Sequence, residues 1–121
     1  MPFGEDIKKL VWEKAHKVPG YDADIVRKDA CGAWIMWDKY GMRDNVFGWE
    51  IDHIYPIAKG GDDASLNLRA LHCLNNISKG DDYPSYVADV TSEGDTNIRK
   101  ARNVTVNAAL IEKLTKLYNN N

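Results

Sequence analysis

The segment that decides the fold reads GWEIDHIYPIAKGGDDASLNLRALHCLNNISKGD and spans residues 48–81. Residues 48–54 alternate in the way that is typical of a strand, and a loop rich in Gly and Asp follows them. A second short strand is predicted near residues 67–71, and a helix is predicted over residues 73–79, with Gly80 placed to end it. The segment therefore predicts a β-hairpin with a short helix that packs across it.

The first strand of this hairpin carries an acid and an imidazole side by side, Asp52 and His53. A helix that packs across the hairpin would project Asn76 toward them. Carboxylate and carboxamide oxygens suit Mg²⁺ or a similar hard ion, whereas structural zinc needs Cys or His ligands that this set lacks. Neighbouring strand residues point to opposite faces, so His53 is placed to activate water while an ion at Asp52 and Asn76 neutralises a phosphate.

Both ends of the chain carry patterns typical of amphipathic helices. Residues 5–17 place acidic side chains early and lysines late. Residues 105–118 begin with Thr105 or Asn107 as the cap, and their core face is predicted to contain Leu110, Leu114 and either Leu117 or Tyr118. We therefore expect a helix on either side of the hairpin segment, with the leucines of the last helix in the core.

Two stretches give weaker signals. Residues 21–47 contain consecutive large apolar side chains that fit a buried strand or a short helix, and periodicity does not decide between them. Residues 81–105 are expected to be mostly loop, because Asp, Ser and Gly recur in them. The chain as a whole predicts one α+β domain over residues 1–121, with its motif core at about 48–81.

The composition is that of an ordinary globular chain, with 44% hydrophobic and 28% charged residues. The net charge is −2, whereas a non-specific DNA binder usually has an excess of positive charge. A contact with DNA would therefore require a local basic patch. Cys31 and Cys73 are expected to be free thiols in a reducing cytoplasm, with a disulfide or a metal contact as the alternative. No membrane-length apolar run and no signal-peptide core are visible, which predicts a cytoplasmic protein without a membrane partner.

Four short patterns occur in the order D-H-x-x-P, Gly-Gly, N-L-x-x-L and N-x-x-K, at residues 52–56, 60–61, 67–71 and 76–79. Together they resemble the HNH nucleases of the ββα-metal fold, over about residues 31–84. The resemblance implies an α+β protein whose small core is a β-hairpin plus a metal-site helix, flanked here by N- and C-terminal helices.

The resemblance also implies roles for individual residues. His53 matches the general base that activates water, and Asp52 matches the acidic metal ligand. Asn67 matches the middle residue of the family name, which braces the loop or orients the histidine. Asn76 stands where the last histidine of the name would be, which makes this an HNN variant with a preference for Mg²⁺-like ions.

The implied substrate is nucleic acid, with double-stranded DNA expected, and the implied products carry a 5′-phosphate and a 3′-hydroxyl. One divalent ion per site is expected, Mg²⁺ first and Mn²⁺ second. Arg69 and Lys79 are placed to neutralise a phosphate. A monomer would nick and a homodimer would be able to cut both strands, and the sequence leaves this open. A catalytically silent adaptor and a toxin-type nuclease with an immunity partner are the alternative functions.

The chain departs from many relatives in lacking their zinc-binding cysteine pairs. His72 and Asn75 stand at the positions of the second pair, so structural zinc is not expected. Asn75 is expected to face solvent or to cap a loop, and His72 either fills the vacated position or joins the metal site. Stability would then depend on aromatic packing, for which the candidates are Trp34, Trp37 and Trp49.

The most basic stretch of the chain contains Arg99, Lys100 and Arg102. It would suit a DNA backbone, and a solvated loop before the last helix explains it equally well.

Overall fold

The computed structural model describes residues 3–119. Its helices and strands follow in the order α1 (Glu5–Lys14), β1 (Val26–Lys28), β2 (Trp34–Met36), β3 (Trp49–His53), β4 (Leu68–His72), α2 (Cys73–Lys79), β5 (Ser85–Glu93), β6 (Thr96–Thr105) and α3 (Ala108–Tyr118). The strands pair in sequence as antiparallel hairpins, β1 with β2, β3 with β4 and β5 with β6. The predicted α+β class is confirmed, with terminal helices on either side of the β3–β4–α2 unit.

One face of the β3–β4 hairpin packs against helix α1. Ile51 on β3 and Leu68 and Ala70 on β4 pack with Val11 and Trp12 of α1 in one buried cluster. The strand register places Asp52 opposite Arg69 and His53 opposite Leu68. Because side chains alternate along a strand, Asp52 lies on the face that α2 covers.

Helix α2 begins and ends at residues suited to those positions. His72 caps its first turn, because the imidazole Nδ1 accepts a hydrogen bond of 3.1 Å from the Leu74 N–H. Gly80 ends it with φ of 53°, in the left-handed region that favours glycine. The helix predicted over residues 73–79 is therefore confirmed.

Aromatic side chains form the centre of the N-terminal half. The Trp49 side chain is fully buried, and its ring lies 5.3 Å from that of Trp12 and 4.9 Å from that of Tyr40, between ring centroids. Trp37 joins the same group at 6.0 Å from Trp49, whereas the Trp34 ring lies 4.8 Å from that of Tyr21 at a tilt of 50°. Removing a buried tryptophan of this kind costs about 3–5 kcal/mol, so this cluster fixes α1 against the hairpin.

The expectation that residues 81–105 are mostly loop is wrong, because β5 and β6 form the longest hairpin of the protein. Tyr86, Ala88 and Val90 alternate with more exposed residues along β5 and face the core. Gly94 and Asp95 form the turn, with φ of 61° at Gly94. A Gly-Asp pair between two strand-like segments is a sequence signal for a β-hairpin. The many polar residues of this segment favoured a loop prediction in spite of that signal.

The N-terminal helix is shorter than predicted, whereas the C-terminal helix is capped by Asn107, one of its two predicted caps. Helix α1 ends at Lys14, because the backbone of His16 pairs with Lys28 instead of continuing the helix. Helix α3 begins after Asn107, whose Oδ1 accepts a hydrogen bond of 2.8 Å from the Leu110 N–H. Leu114 is fully buried on its core face. Among the helices within residues 3–119, none combines the length and apolar character needed to cross a bilayer.

Candidate active site

Asn67 holds the two ends of the loop that follows β3. Its side chain is fully buried, and its Oδ1 accepts a hydrogen bond of 2.7 Å from the Tyr55 N–H. Its Nδ2 donates to the carbonyl oxygens of Tyr55 and Asp62, both at 3.0 Å. Asn67 therefore braces the loop, which is one of the two roles that the resemblance implied for it.

Glycine is required at position 61 because the loop backbone there lies against the Tyr55 carbonyl and the Asn67 side chain. A Cβ atom at position 61 would lie 1.9 Å from the Tyr55 carbonyl oxygen and 3.0 Å from Asn67 Nδ2. Both distances are shorter than ordinary van der Waals contact, and the first involves backbone that cannot rotate away. Gly60 has φ of 106°, a conformation that favours glycine. Gly60 is therefore needed for its backbone conformation and Gly61 for the lack of a side chain.

His53 pairs with an acid that sequence reasoning missed. Its Nε2 lies 2.7 Å from Oδ1 of Asp63, and its side chain is about one-fifth exposed at 21%. The ring of Phe3 lies beside it, at 5.9 Å between centroids. An ionised carboxylate only accepts hydrogen bonds, so Nε2 donates its proton and a neutral His53 carries its lone pair on Nδ1. Sequence spacing gave no sign of this pair, because the conformation of the loop decides it.

Asp52 is buried between two cations. Its Oδ2 accepts a hydrogen bond of 3.0 Å from Arg69 Nε, and its Oδ1 lies 3.3 Å from Lys79 Nζ. Lys79 also donates a hydrogen bond of 3.2 Å to the carbonyl oxygen of His53, and its side chain has no exposed surface. Burial lowers the pKa of Lys79, and the Asp52 carboxylate opposes that shift. Arg69 is 14% exposed, so both cations lie beneath Asp52 rather than at the surface.

Asn76 contacts a second acid on the same strand face. Its Nδ2 donates a hydrogen bond of 2.9 Å to Oε1 of Glu50, and Glu50 pairs through Oε2 with Arg43 Nε at 2.6 Å. With its nitrogen engaged in this way, Oδ1 of Asn76 is the atom left to coordinate a cation. Glu50 lies two residues before Asp52, and the alternation of β3 alone would have placed it on this face.

Asp52, His53 and Asn76 line one cleft of about 220 Å³, beside Pro56, Gly80 and Asp81. Asn67, Arg69 and Lys79 are not part of its lining. Within the described part of the chain, no three His, Cys, Asp or Glu side chains come together as a metal-holding group. The oxygen atoms of the cleft still fit a hard divalent ion that takes few protein ligands and keeps its waters.

The expectation that Asn75 faces solvent or caps a loop is wrong, because its side chain is fully buried. Its Nδ2 donates to Asp29 Oδ2 at 3.0 Å and to the Val90 carbonyl at 2.9 Å. Its Oδ1 accepts from the N–H groups of Asp89 and Val90 at 2.8 and 2.7 Å. Every hydrogen-bonding position of this amide is therefore used, between the loop before β2 and strand β5.

Asp29 is the other centre of this arrangement, which we call the Asp29–Asn75 network. Its carboxylate also accepts backbone hydrogen bonds from Cys31, Ala33 and His72, at 2.9, 2.9 and 2.8 Å. Besides capping α2 through Nδ1, His72 contacts the Val46 carbonyl through Nε2 at 2.9 Å. His72 therefore fills the vacated position, and both of its nitrogens are engaged away from the cleft.

The two arginines of the basic stretch on β6 are already paired with other groups of the protein. Arg99 forms a bidentate pair with Asp89, at 2.8 and 2.7 Å, and Arg102 donates to the Cys31 carbonyl. Cys31 and Cys73 are free and buried, as predicted. Burial raises the pKa of Cys31 to about 11 and that of Cys73 to about 12, so both thiols keep their protons at neutral pH.

Comparison with known proteins agrees with this geometry. Residues 43–85 match the family model of the HNH endonucleases, a span that contains β3, β4 and α2. The chain matches none of the curated proteins and none of the solved structures with which it was compared. The matched residues form the ββα unit and carry the cleft, so this part of the chain is similar to the HNH endonucleases.

Proposed function

We propose that the protein is a metal-dependent endonuclease that hydrolyses phosphodiester bonds of double-stranded DNA. The observation that carries the proposal is the single cleft shared by Asp52, His53 and Asn76. The cleft combines a basic nitrogen with oxygen ligands of different charge, and a phosphodiester hydrolase needs both kinds of group. The family match to a nuclease supports the same chemistry.

His53 acts as the general base on water. The water oxygen forms a new bond to phosphorus, its proton passes to Nδ1 of His53, and the bond from phosphorus to the 3′ oxygen breaks. The 3′ oxygen takes a proton from solvent, and the products carry a 5′-phosphate and a 3′-hydroxyl. A divalent ion, Mg²⁺ or Mn²⁺, bound by Asp52 and Asn76 would supply charge stabilisation at the phosphate.

Arg69 and Lys79 act on the phosphate through charge rather than through direct contact. One carboxylate and two cations lie together beneath the cleft, so this buried group has a net charge of about +1 at neutral pH. The side chains are shielded from solvent, and their field at the cleft is therefore screened less by salt than that of surface lysines. Such a field favours an anionic substrate in a protein whose net charge is −2.

A DNA-binding adaptor without turnover is the second candidate. It is favoured by the engagement of both Asp52 oxygens, since Arg69 and Lys79 already neutralise the carboxylate that would hold the ion. The His53–Asp63 pair favours the enzyme, because an adaptor has no need of an oriented imidazole.

Cleavage of supercoiled plasmid tests these alternatives. Wild type, His53→Ala and Asn76→Ala are compared with Mg²⁺, with Mn²⁺ and with EDTA, and the exposed His16→Ala serves as the matched control. We expect metal-dependent nicking or linearisation that falls by about 10²–10⁴-fold in His53→Ala, with plasmid binding retained. The ratio of nicked to linear product reports on whether one or two sites act together.

Full activity in EDTA or in His53→Ala would exclude this mechanism. Binding of plasmid without cleavage under any metal would establish the adaptor instead.

A further inference from the structure

We propose that Asp63 is the positioning residue of the general base His53, and that helix α3 holds the loop that presents it. The inference rests on the proposed function for its catalytic meaning. The inference goes beyond the proposed function because it assigns a role to an acid that is not one of Asp52, His53, Asn67 and Asn76. It also links the cleft to a helix outside the matched residues 43–85.

The contact itself defines what Asp63 does. At 2.7 Å from Nε2, the carboxylate accepts a hydrogen bond from the Nε2–H group of the neutral ring, so that Nδ1 carries no proton. Only the nitrogen without a proton can take a proton from water. Asp63 therefore selects the tautomer in which Nδ1 is the base, and it limits rotation of the ring.

The loop that carries Asp63 is fixed at the preceding residue, Asp62. The carboxylate of Asp62 accepts hydrogen bonds from the Ala64 N–H at 3.1 Å and from the Tyr118 hydroxyl at 2.6 Å. The backbone carbonyl of Asp62 accepts the bond from Asn67. The loop backbone is therefore held immediately before Asp63 by α3 and by the residue that precedes β4.

Tyr118 is itself held in place. Its ring stacks on that of Tyr55 at 4.9 Å between centroids, with 30° between the planes. Burial and the hydrogen bond to Asp62 raise the pKa of Tyr118 to about 12, so the phenol keeps the proton that it donates. Tyr55 provides backbone groups that Asn67 binds, so the Tyr55–Tyr118 pair connects α3 to Tyr55 and to Asp62, two loop residues that Asn67 also contacts.

The exposure of Asp63 to solvent limits how much its hydrogen bond to His53 contributes to kcat. The side chain is 66% exposed, so solvent screens its electrostatic stabilisation of an imidazolium. Selection of the tautomer depends on the hydrogen bond rather than on long-range charge and is retained. We expect loss of this bond to lower kcat by about 10–100-fold, the range for outer-shell partners of site histidines, with KM unchanged.

Three substitutions at one position separate positioning from a general structural role. In Asp63→Asn the side-chain amide can donate to Nε2, which would place the ring proton on Nδ1, whereas Asp63→Ala leaves the tautomer free. We therefore expect kcat to be highest in wild type and to decrease through Asp63→Glu and Asp63→Ala to its lowest value in Asp63→Asn. Asp24→Asn, an exposed acid outside the cleft lining, is the control for the change in charge. Equal kcat in Asp63→Asn and wild type would overturn the inference.

A second measurement is independent of cleavage. Ring ¹⁵N shifts of His53 in the metal-free protein at about pH 8.5, where an ordinary imidazole is neutral, report which nitrogen carries the proton. We expect the proton on Nε2 in wild type and on Nδ1 in Asp63→Asn, with a smaller change in Tyr118→Phe. A tautomer that does not depend on Asp63 overturns the positioning role, whatever the activity. An Asp63-dependent tautomer in a protein that cleaves no DNA overturns the proposed function instead and leaves the pairing standing.

Discussion

The side-chain amide of Asn75 donates a 3.0 Å hydrogen bond to the carboxylate of Asp29, and neither side chain exposes more than 1% of its surface. The two residues lie 46 positions apart in the chain. Four N–H groups satisfy the Asp29 carboxylate, two at each oxygen. Buried polar groups stabilise a fold only when they are fully paired, so the Asp29–Asn75 network can fix the loop before β2, helix α2 and strand β5 to one another.

Substitution of Asn75 should therefore destabilise the fold strongly. Asn75→Ala leaves the N–H groups of Asp89 and Val90 unpaired in the interior and removes a donor from Asp29. We expect a loss of at least about 3 kcal/mol in the free energy of unfolding, measured by urea denaturation. Asn103→Ala, on the exposed part of β6, is the matched control and should change stability by less than about 0.5 kcal/mol. Equal midpoints for the two variants would contradict a role for the network.

Gly61→Ala should affect activity more than stability. The added Cβ would meet the Tyr55 carbonyl, so the loop has to move away from Asn67 and carry Asp63 with it. Overpacking of this kind costs about 1–3 kcal/mol. Activity is compared under conditions in which the variant remains folded. Gly4→Ala is the control, because nothing lies within 4 Å of its added Cβ. A folded Gly61→Ala protein with wild-type kcat would show that the loop conformation is not needed.

Removing the ammonium group of Lys79 should lower the free energy of unfolding, because it leaves the buried Asp52 carboxylate with one fewer cation. Lys79→Met keeps the volume of the side chain but leaves Asp52 with Arg69 alone. Breaking a buried ion pair costs about 3–5 kcal/mol, and the remaining arginine places the expected loss at the lower end. Lys100→Met on β6 provides the comparison with an exposed lysine. Thermal and urea unfolding of the two variants measure the difference, and unchanged stability of Lys79→Met would contradict the arrangement around Asp52.

Alkaline conditions should destabilise the native state. Its thiols at Cys31 and Cys73 and the phenol of Tyr118 have pKa values raised to about 11, 12 and 12. The unfolded chain loses these protons first as pH rises, so it binds fewer protons than the native state does and is favoured. The free energy of unfolding should fall between about pH 9 and pH 12, because the stabilising contribution is complete only below the unfolded pKa values. Urea titrations at increasing pH measure the slope.

The same titration in Cys73→Ala should give a shallower slope, since one of the three groups is gone. An identical slope would mean that Cys73 does not contribute to it.

The β3–β4–α2 unit was predictable because its signals are local. Strand alternation, the Gly-Gly loop and Gly80 all act within a few residues of the structure that they determine. Asn75 was not predictable in this way, because its environment depends on Asp29 and on β5, neither of which the segment itself contains. The pairing of His53 with Asp63 was equally hidden, since it depends on a loop whose shape is set by Asn67 and Tyr118.

The reach of the Asp29–Asn75 network also bears on synthesis of the protein. Asn75 finds its backbone partners only at Asp89 and Val90, and the Asp63 loop finds Tyr118 later still. A nascent chain that has emerged only through α2 contains Asp52, His53 and Asn76, but the hydrogen bonds of Asn75 to β5 are not yet formed. The hydrogen bonds that hold the cleft and the Asp63 loop can therefore form in full only after β5 and α3 have left the ribosome.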